Sequence, residues 1–342
     1  MAPLLRRALW SERRHNAEKR VLKSYQAHGD GLDGAVVRAG QTIPSAAPWI
    51  DLIDPTEDER SVVGNLLGTK LPTHADMKEI EISSRLFRRG DLTFMTALVI
   101  ANSESERPVA DAITFVLAPE RLVTIRYVQP QAFRRFEARL RRDHAGMQSA
   151  ELLLLGLLDT IVERVADILE REGREIEAIS RRIFDPGPAG HLDTAAYRDV
   201  LGELGRRNDL TGKLRESLLS LSRLLSFWTQ TIDAGTKKEV RTRTRALVRD
   251  VQSLQDHSTF LAGKLNYLLE ATLGLINIDQ NNTIRIMSVA ATIFLPPTLI
   301  AAIINFKYFP ALPWPFGYPL ALLLMLLSTI VPYFWFRRRG WL

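Results

Sequence analysis

The residues with the clearest chemical pattern lie near the end of the chain, where polar and apolar side chains recur at helical spacing. The stripe comprises Asn281, Ile284, Met287, Ala291, Leu295, Thr298 and Ala302. Intervals of three or four residues place such a set on one face of an α-helix. If several subunits shared this face around a pore, it would supply a ring of amides, apolar constrictions at Met287 and Leu295, and a ring of hydroxyls at Thr298. A lipid-facing or bundle-facing surface would fit the same spacing, so periodicity alone leaves both interpretations open.

The polar residues that flank the stripe have an ordinary explanation as well. Ser288, which we place one residue off the stripe, and Thr292 can bond back to their own helix, as most Ser and Thr side chains in membrane helices do. The adjacent Pro296 and Pro297, however, free backbone carbonyls that lipid cannot satisfy. We therefore expect this helix to face protein or water.

Catalytic motifs are absent from the sequence. The six histidines form no His-x-x-x-His or His-Glu-x-x-His pair, and there is no Gly-x-Ser-x-Gly or phosphate-binding glycine loop. Because the chain has no cysteine, disulfides, thiolate metal sites and cysteine nucleophiles are excluded. The sequence predicts a protein that is not an enzyme and has no cofactor.

Two segments are long and apolar enough to cross a bilayer. Residues 286–304 and 316–336 contain no charged side chain, and each has close to the roughly 20 residues needed to span the hydrocarbon layer. Arg285 precedes the first span, and Lys307 alone lies between the spans. The second span is followed by a basic cluster of three residues, Arg337, Arg338 and Arg339. The positive-inside rule then predicts that both termini are cytoplasmic.

The region before the spans carries the signals of a soluble α+β domain followed by long helices. WIDLIDPTEDE predicts a strand, a turn, and a helix that begins with a capping box formed by Thr56 and Glu59. Four β-rich runs follow and indicate a largely antiparallel sheet. From Gln131 onward the strand signals disappear, and 150–184, about 194–232 and about 236–304 are typical of long helices.

The predicted organisation has six parts. They are an N-terminal cytoplasmic domain over 1–130, long cytoplasmic helices over 131–235, a stalk helix over 236–304 that becomes the first span at about 284, an extracytoplasmic loop over 305–315, a second span over 316–336, and a basic tail over 337–342. The formal charge is +6, but the basic residues are interleaved with acids or lie at the membrane edges. No nucleic-acid partner is therefore predicted.

Four stretches resemble the CorA family of magnesium and cobalt transporters. They are WIDLIDPTEDE, RDVQSLQDHSTFLAGKLNYLLEATLGLINIDQNN, ATIFLPPTLIAAI and PFGYPLALLLMLLSTIVPYFWFRRRGWL. The resemblance implies a homopentamer in a lipid bilayer, the bacterial-type inner (plasma) membrane, with five first spans around one pore and the second spans outside. It also implies that Mg²⁺, with Co²⁺ and Ni²⁺, is transported, and that Mg²⁺ bound between cytoplasmic parts holds the channel closed. Carried over by position, the pore-lining residues are Asn281, Met287, Leu295, Thr298 and Asn305.

The sequence departs from the family at the outer mouth of this pore. Where the family has Tyr-Gly-Met-Asn-Phe, this chain has Ile304 directly before Asn305 and Phe306, so that Gly and Met are missing. The resemblance implies an outer selectivity ring at Asn305. Three alternatives remain beside an intact magnesium-class channel: altered selectivity, a zinc transporter of the related branch, or a non-conducting membrane-anchored magnesium sensor or scaffold. No acidic residue is singled out as a regulatory metal ligand.

Overall fold

A computed structural model describes ten ranges of the chain. These are residues 21–28, 31–37, 41, 43–44, 46–105, 107–142, 149–185, 192–232, 237–304 and 317–340. The predicted loop over 305–315, including Asn305, lies outside the described residues. The chain divides into two compact units, the first made of Met1–His191 and Asp199–Asn266, the second of Leu192–Arg198 and Tyr267–Leu342.

Within the described residues of the first unit, seven strands form one sheet. The strands are β1 (Val21–His28), β2 (Gly31–Val37), β3 (Trp49–Ile53), β4 (Leu86–Arg89), β5 (Leu92–Ala101), β6 (Val109–Leu117) and β7 (Leu122–Arg126). Their order is β2-β1-β3-β7-β6-β5-β4. Only β3 and β7 pair in parallel, and the other neighbours are antiparallel. The predicted largely antiparallel sheet is confirmed.

The hairpin of β1 and β2 was not predicted from the sequence. Its strands contain buried Ser24 and the glycines Gly31 and Gly34, which weaken the alternation that marks a strand. The structure explains Gly34, because a Cβ there would come within 2.6 Å of the Tyr25 ring. Tyr25 in turn stacks on Trp49 with ring centres 4.0 Å apart. The glycine is therefore needed for the close approach of the aromatic core.

The first helix begins as predicted. In α1 (Glu57–Leu67), Thr56 Oγ1 accepts a hydrogen bond from the Glu59 amide at 3.2 Å, and the Glu59 carboxylate accepts one from the Thr56 amide at 2.8 Å. This reciprocal pair satisfies two amides that the first turn leaves free. The helix ends at Gly68 in the left-handed conformation, with φ of 67°. Two short helices follow, α2 (His74–Lys78) and α3 (Ile82–Arg85).

A buried polar network lies within the sheet, at the paired strands β3 and β7. Asp51 Oδ1 accepts a hydrogen bond from Thr124 at 2.6 Å, and Arg126 Nη2 donates to Asp51 Oδ2 at 2.8 Å. The Arg126 guanidinium also lies 4.5 Å from the ring centre of Phe133, on α4 (Gln131–Arg142). The charged pair therefore joins neighbouring strands and the helix that packs against them.

Four long helices complete the described chain. They are α5 (Ala150–Phe184), α6 (Thr194–Thr231), α7 (Lys238–Ile304) and α8 (Gly317–Arg338). The predicted long helices are confirmed to within a few residues at each end. The 67 residues of α7 continue through Pro296 and Pro297 without interruption, which corresponds to about 100 Å of helix.

Helix α6 also contacts the sheet at a place where a strand is missing. Strand β4 pairs with β5 only as far as Met95. Further along β5, the Leu98 amide donates to Ser220 Oγ at 2.8 Å, and Ser217 Oγ donates to the Leu98 carbonyl at 2.7 Å. Two serine hydroxyls thus satisfy backbone groups that a neighbouring strand would otherwise bind.

Candidate functional site

The seven predicted pore-lining residues lie on one face of α7. A helix turns by about 100° per residue, so these positions fall within an arc of about 120°. All of them are exposed: Asn281, Ile284, Met287, Ala291, Leu295, Thr298 and Ala302. The opposite side of the helix contains Val289, which is 3% exposed, and a set of half-buried residues, Ala290, Ile293, Pro296, Pro297 and Ile300. The two sides of the helix therefore differ in exposure from Val289 to Ile300, whereas all residues of 277–288 are exposed.

Large apolar side chains make up much of the exposed face. Ile284, Met287 and Leu295 are 62%, 68% and 66% exposed in the single chain. Apolar surface of this extent is covered by lipid or by another protein surface in a working protein. The face also carries Asn281 and Thr298, which lipid would not solvate. The face therefore combines large apolar side chains with polar groups.

The hydroxyl groups of this segment are oriented by the helix itself. Thr298 Oγ1 donates to the Phe294 carbonyl at 2.7 Å, and Ser288 Oγ donates to the Ile284 carbonyl at 2.8 Å. Each hydroxyl proton is thereby used, and the oxygen lone pairs remain available as acceptors. An acceptor is the group that the water shell of a cation requires.

The geometry corrects the assignment of Ser288. This residue is seven positions after Asn281, and two turns of helix bring it within about 20° of that residue's direction. Ser288 therefore lies on the same face as Asn281 and not off the stripe. Asn282, by contrast, is turned by about 100° from Asn281 and is also exposed.

The prolines create a second source of oxygen ligands. Pro296 and Pro297 have no amide proton, so they cannot bond to the carbonyls of Thr292 and Ile293 four residues earlier. Thr292 is turned toward the edge of the exposed face. Its carbonyl oxygen can accept hydrogen bonds from water there.

The basic cluster that the sequence predicted does not lie on this face of α7. Arg337, Arg338 and Arg339 are exposed at the end of α8. Among the residues that the structure describes, no group of three or more His, Cys, Asp and Glu could hold a metal ion. The regulatory magnesium ligands therefore stay unassigned.

Helix α7 satisfies the length and composition required of a membrane span. Its most apolar window has a mean hydropathy of 2.0 and is 6% buried, and it is the one candidate span among the described residues. The 22 residues of α8 carry no charge before Arg337. The second span stays a prediction.

Comparison with known proteins shows the family. The sequence model of the family described as CorA-like Mg²⁺ transporter protein matches residues 45–338. The magnesium transport protein CorA of Escherichia coli (strain K12) is 33% identical over 326 residues, which cover 94% of this chain and 100% of the relative. The protein of the same name from Pectobacterium atrosepticum is 35% identical over 300 residues, with 87% and 93% covered.

A solved structure agrees at the level of fold. The complete CorA magnesium transporter from Methanocaldococcus jannaschii has a TM-score of 0.70 at 20% identity, over 94% of this chain and 98% of that one. The chain therefore belongs to the CorA family, as the resemblance predicted. The family comprises membrane proteins of divalent-cation transport and not enzymes.

Proposed function

We propose that the protein conducts Mg²⁺, and also Co²⁺ and Ni²⁺, through a channel formed by five copies of the chain. The observation that carries the proposal is the exposed face of α7, which combines Asn281 and Thr298 with large apolar side chains on a membrane-length segment. Two membrane helices per chain cannot enclose a path alone. Five copies of α7 around an axis would turn this face inward, with α8 outside.

The residue types suit a strongly hydrated ion. Mg²⁺ gives up its waters reluctantly, so a selective path needs neutral oxygen acceptors for those waters. Asn281 would supply amide oxygens at the cytoplasmic entry, and Thr298 would supply the lone pairs of its hydroxyl. Met287 and Leu295 would form apolar constrictions that close when they lose water.

Regulation is proposed to use the length of α7. The helix has no break from Lys238 to Ile304, so a change at its cytoplasmic end can be transmitted to the membrane segment. Mg²⁺ bound between cytoplasmic parts of neighbouring copies would favour the closed channel. Both termini would lie in the cytoplasm and the protein in the inner membrane.

Uptake by proteoliposomes tests the proposal. The full chain is reconstituted into vesicles that contain a fluorescent Mg²⁺ dye, with and without internal Mg²⁺, beside protein-free vesicles. We expect uptake that internal Mg²⁺ inhibits. Uptake of Zn²⁺ in preference to Mg²⁺ would favour the zinc branch, and no uptake by folded pentamers would favour the sensor or scaffold.

A further inference from the structure

Each arginine at the end of α8 lies one helical turn beyond an exposed aromatic residue. Positions four apart are neighbours on a helix surface. The aromatic residues are 40%, 60% and 49% exposed in chain order. The three pairs are Tyr333 with Arg337, Phe334 with Arg338, and Trp335 with Arg339.

One of these pairs is in direct contact. The Arg339 guanidinium carbon lies 4.4 Å from the centre of the Trp335 ring, within the range of a cation–π interaction. The stacked guanidinium keeps its N–H groups at its edge, where they can donate to an anion. The contact holds the guanidinium beside the indole ring.

The buried side of the helix is taken by a different residue. Phe336 is 6% exposed. At about 100° per residue, Phe334 and Trp335 are turned by about 160° and 100° from it, whereas Tyr333, three residues before it, is only about 60° away. Helix α8 ends at Arg338, and Gly340 two residues later has φ of 71°, in the left-handed region. Phe334 and Trp335 therefore lie on the exposed part of the helix end, and Tyr333 lies at its edge.

The charge of this helix end is not balanced within the helix. The sequence of α8 contains no acidic residue. The arginines do interact favourably with the negative end of the helix dipole, but that interaction neutralises about half a charge at most. A net positive surface remains next to exposed aromatic rings.

We propose that this end of α8 binds the headgroups of anionic phospholipids. The guanidinium groups would take the phosphate through paired hydrogen bonds, and the aromatic rings would lie at the boundary between headgroups and acyl chains. The inference rests on the proposed function, since it requires α8 to cross the membrane. It goes beyond orientation by positive charge, for which lysine would serve equally.

Lipid retention by the full-length protein tests this inference. The protein is reconstituted into vesicles of phosphatidylcholine with phosphatidylglycerol as the minor component, then extracted in mild detergent, and the retained lipids are counted by native mass spectrometry. We expect several-fold enrichment of phosphatidylglycerol over its share of the bilayer. The double substitution Arg337→Gln with Arg338→Gln is expected to remove most of that enrichment, so that phosphatidylglycerol is retained close to its share of the bilayer, given the contribution of each arginine near an anionic surface.

Matched variants separate binding from general charge. The pair Arg245→Gln with Arg249→Gln removes the same charge from exposed positions of α7 and should leave the enrichment unchanged. The pair Arg337→Lys with Arg338→Lys keeps the charge that orients the helix, and it should retain less phosphatidylglycerol because ammonium groups cannot form paired bonds to phosphate. Enrichment equal to the parent in the lysine pair, or equal loss in both glutamine pairs, would overturn the proposal.

Two further arms identify the ligand and separate this inference from the transport proposal. Inorganic phosphate at the ionic strength of a chloride control should not displace the lipid, and displacement would show a free-phosphate site instead. Lipids retained in bilayer proportions would also overturn the inference. If the protein does not float with vesicles, membrane insertion fails and both proposals fail. If phosphatidylglycerol is enriched without Mg²⁺ uptake, only the transport proposal fails.

Discussion

The carboxylate of Glu172 on α5 accepts hydrogen bonds from Nη1 of Arg207 on α6. The distances from this nitrogen to Oε1 and Oε2 are 3.0 and 3.2 Å. The Glu172 side chain has no exposed surface, whereas the Arg207 side chain is 25% exposed and also reaches Glu175 at 3.2 Å. Burial raises the pKa of Glu172, and the neighbouring Arg207 and Arg171 oppose that shift only in part. A charged pair thus connects two long helices at the expense of desolvating one carboxylate.

The raised pKa predicts a pH-dependent stability difference for Glu172→Gln. The ordinary pKa of a glutamate, as in the unfolded chain, is roughly 4.3. When the pKa is higher than this in the folded protein, the side chain contributes most to the free energy of unfolding below the ordinary value. That contribution is lost as pH rises through the folded pKa. The melting temperature of the parent relative to the variant should therefore fall as pH rises above the ordinary glutamate value. Melting of the detergent-solubilised protein measures this, with the half-exposed Glu175→Gln as control. A difference that is constant or increases with pH would contradict the prediction.

The ion pair of Asp51 and Arg126 predicts a large loss of stability. Their side chains are 0% and 4% exposed, so Asp51→Ala leaves a buried cation without its partner. The expected cost is about 3–5 kcal/mol in the free energy of unfolding. Glu170→Ala removes the exposed partner of exposed Arg174 and should cost less than about 1 kcal/mol. Urea unfolding followed by tryptophan fluorescence compares them, and similar costs would refute the assignment.

Asn281 is predicted to affect ion flux more than its neighbour. Asn281→Ala removes an amide from the exposed face of α7, and Asn282→Ala removes the same group about 100° away. We expect a several-fold change in Mg²⁺ uptake, or in its inhibition by internal Mg²⁺, for the first variant only. Equal effects in pentamers of unchanged size would argue against this face as the pore lining.

The missing Gly-Met predicts that conduction can be improved by insertion. Two residues correspond to about 3 Å of helix, so their absence would displace a ring of Asn305 amides along the axis. Inserting Gly-Met between Ile304 and Asn305, together with Ile304→Tyr, should raise Mg²⁺ uptake and sharpen selectivity over monovalent ions. Expression and oligomer size serve as controls. A restored variant that conducts no better than an already Mg²⁺-selective parent would place selectivity deeper, near Thr298 or Asn281.

Magnesium is predicted to protect the cytoplasmic part from proteolysis. Ions that bind only the closed assembly stabilise it by mass action, so cleavage by trypsin should slow as Mg²⁺ rises from micromolar to millimolar levels. Ca²⁺ at the same ionic strength and a separate test substrate control for effects on the protease. Cleavage rates that do not respond to Mg²⁺ would refute magnesium-held closure.

Local signals account for the parts that sequence predicted well. The capping box of Thr56 and Glu59 spans four residues, and the stripe on α7 needs only helical spacing. Both can be recognised without knowledge of the tertiary fold. Ser288 was misplaced because it was counted along the chain instead of around the helix.

Non-local contacts account for the parts that sequence missed. Glu172 meets Arg207 across 35 positions, and Thr124 meets Asp51 across 73. Neither spacing carries a signal, since any acid could pair with many bases. The β1–β2 hairpin was missed because Gly34 is explained only by the ring of Tyr25 that it accommodates.

The hydrogen bonds of Ser217 and Ser220 to Leu98 have a consequence for how copies of this chain can associate. An unpaired strand edge recruits extended segments from other molecules, yet here both backbone groups of Leu98 are already occupied by side chains from a helix. A second chain that approached this position would have to displace two formed bonds to gain two. Sheet growth from molecule to molecule is therefore disfavoured at this position of β5.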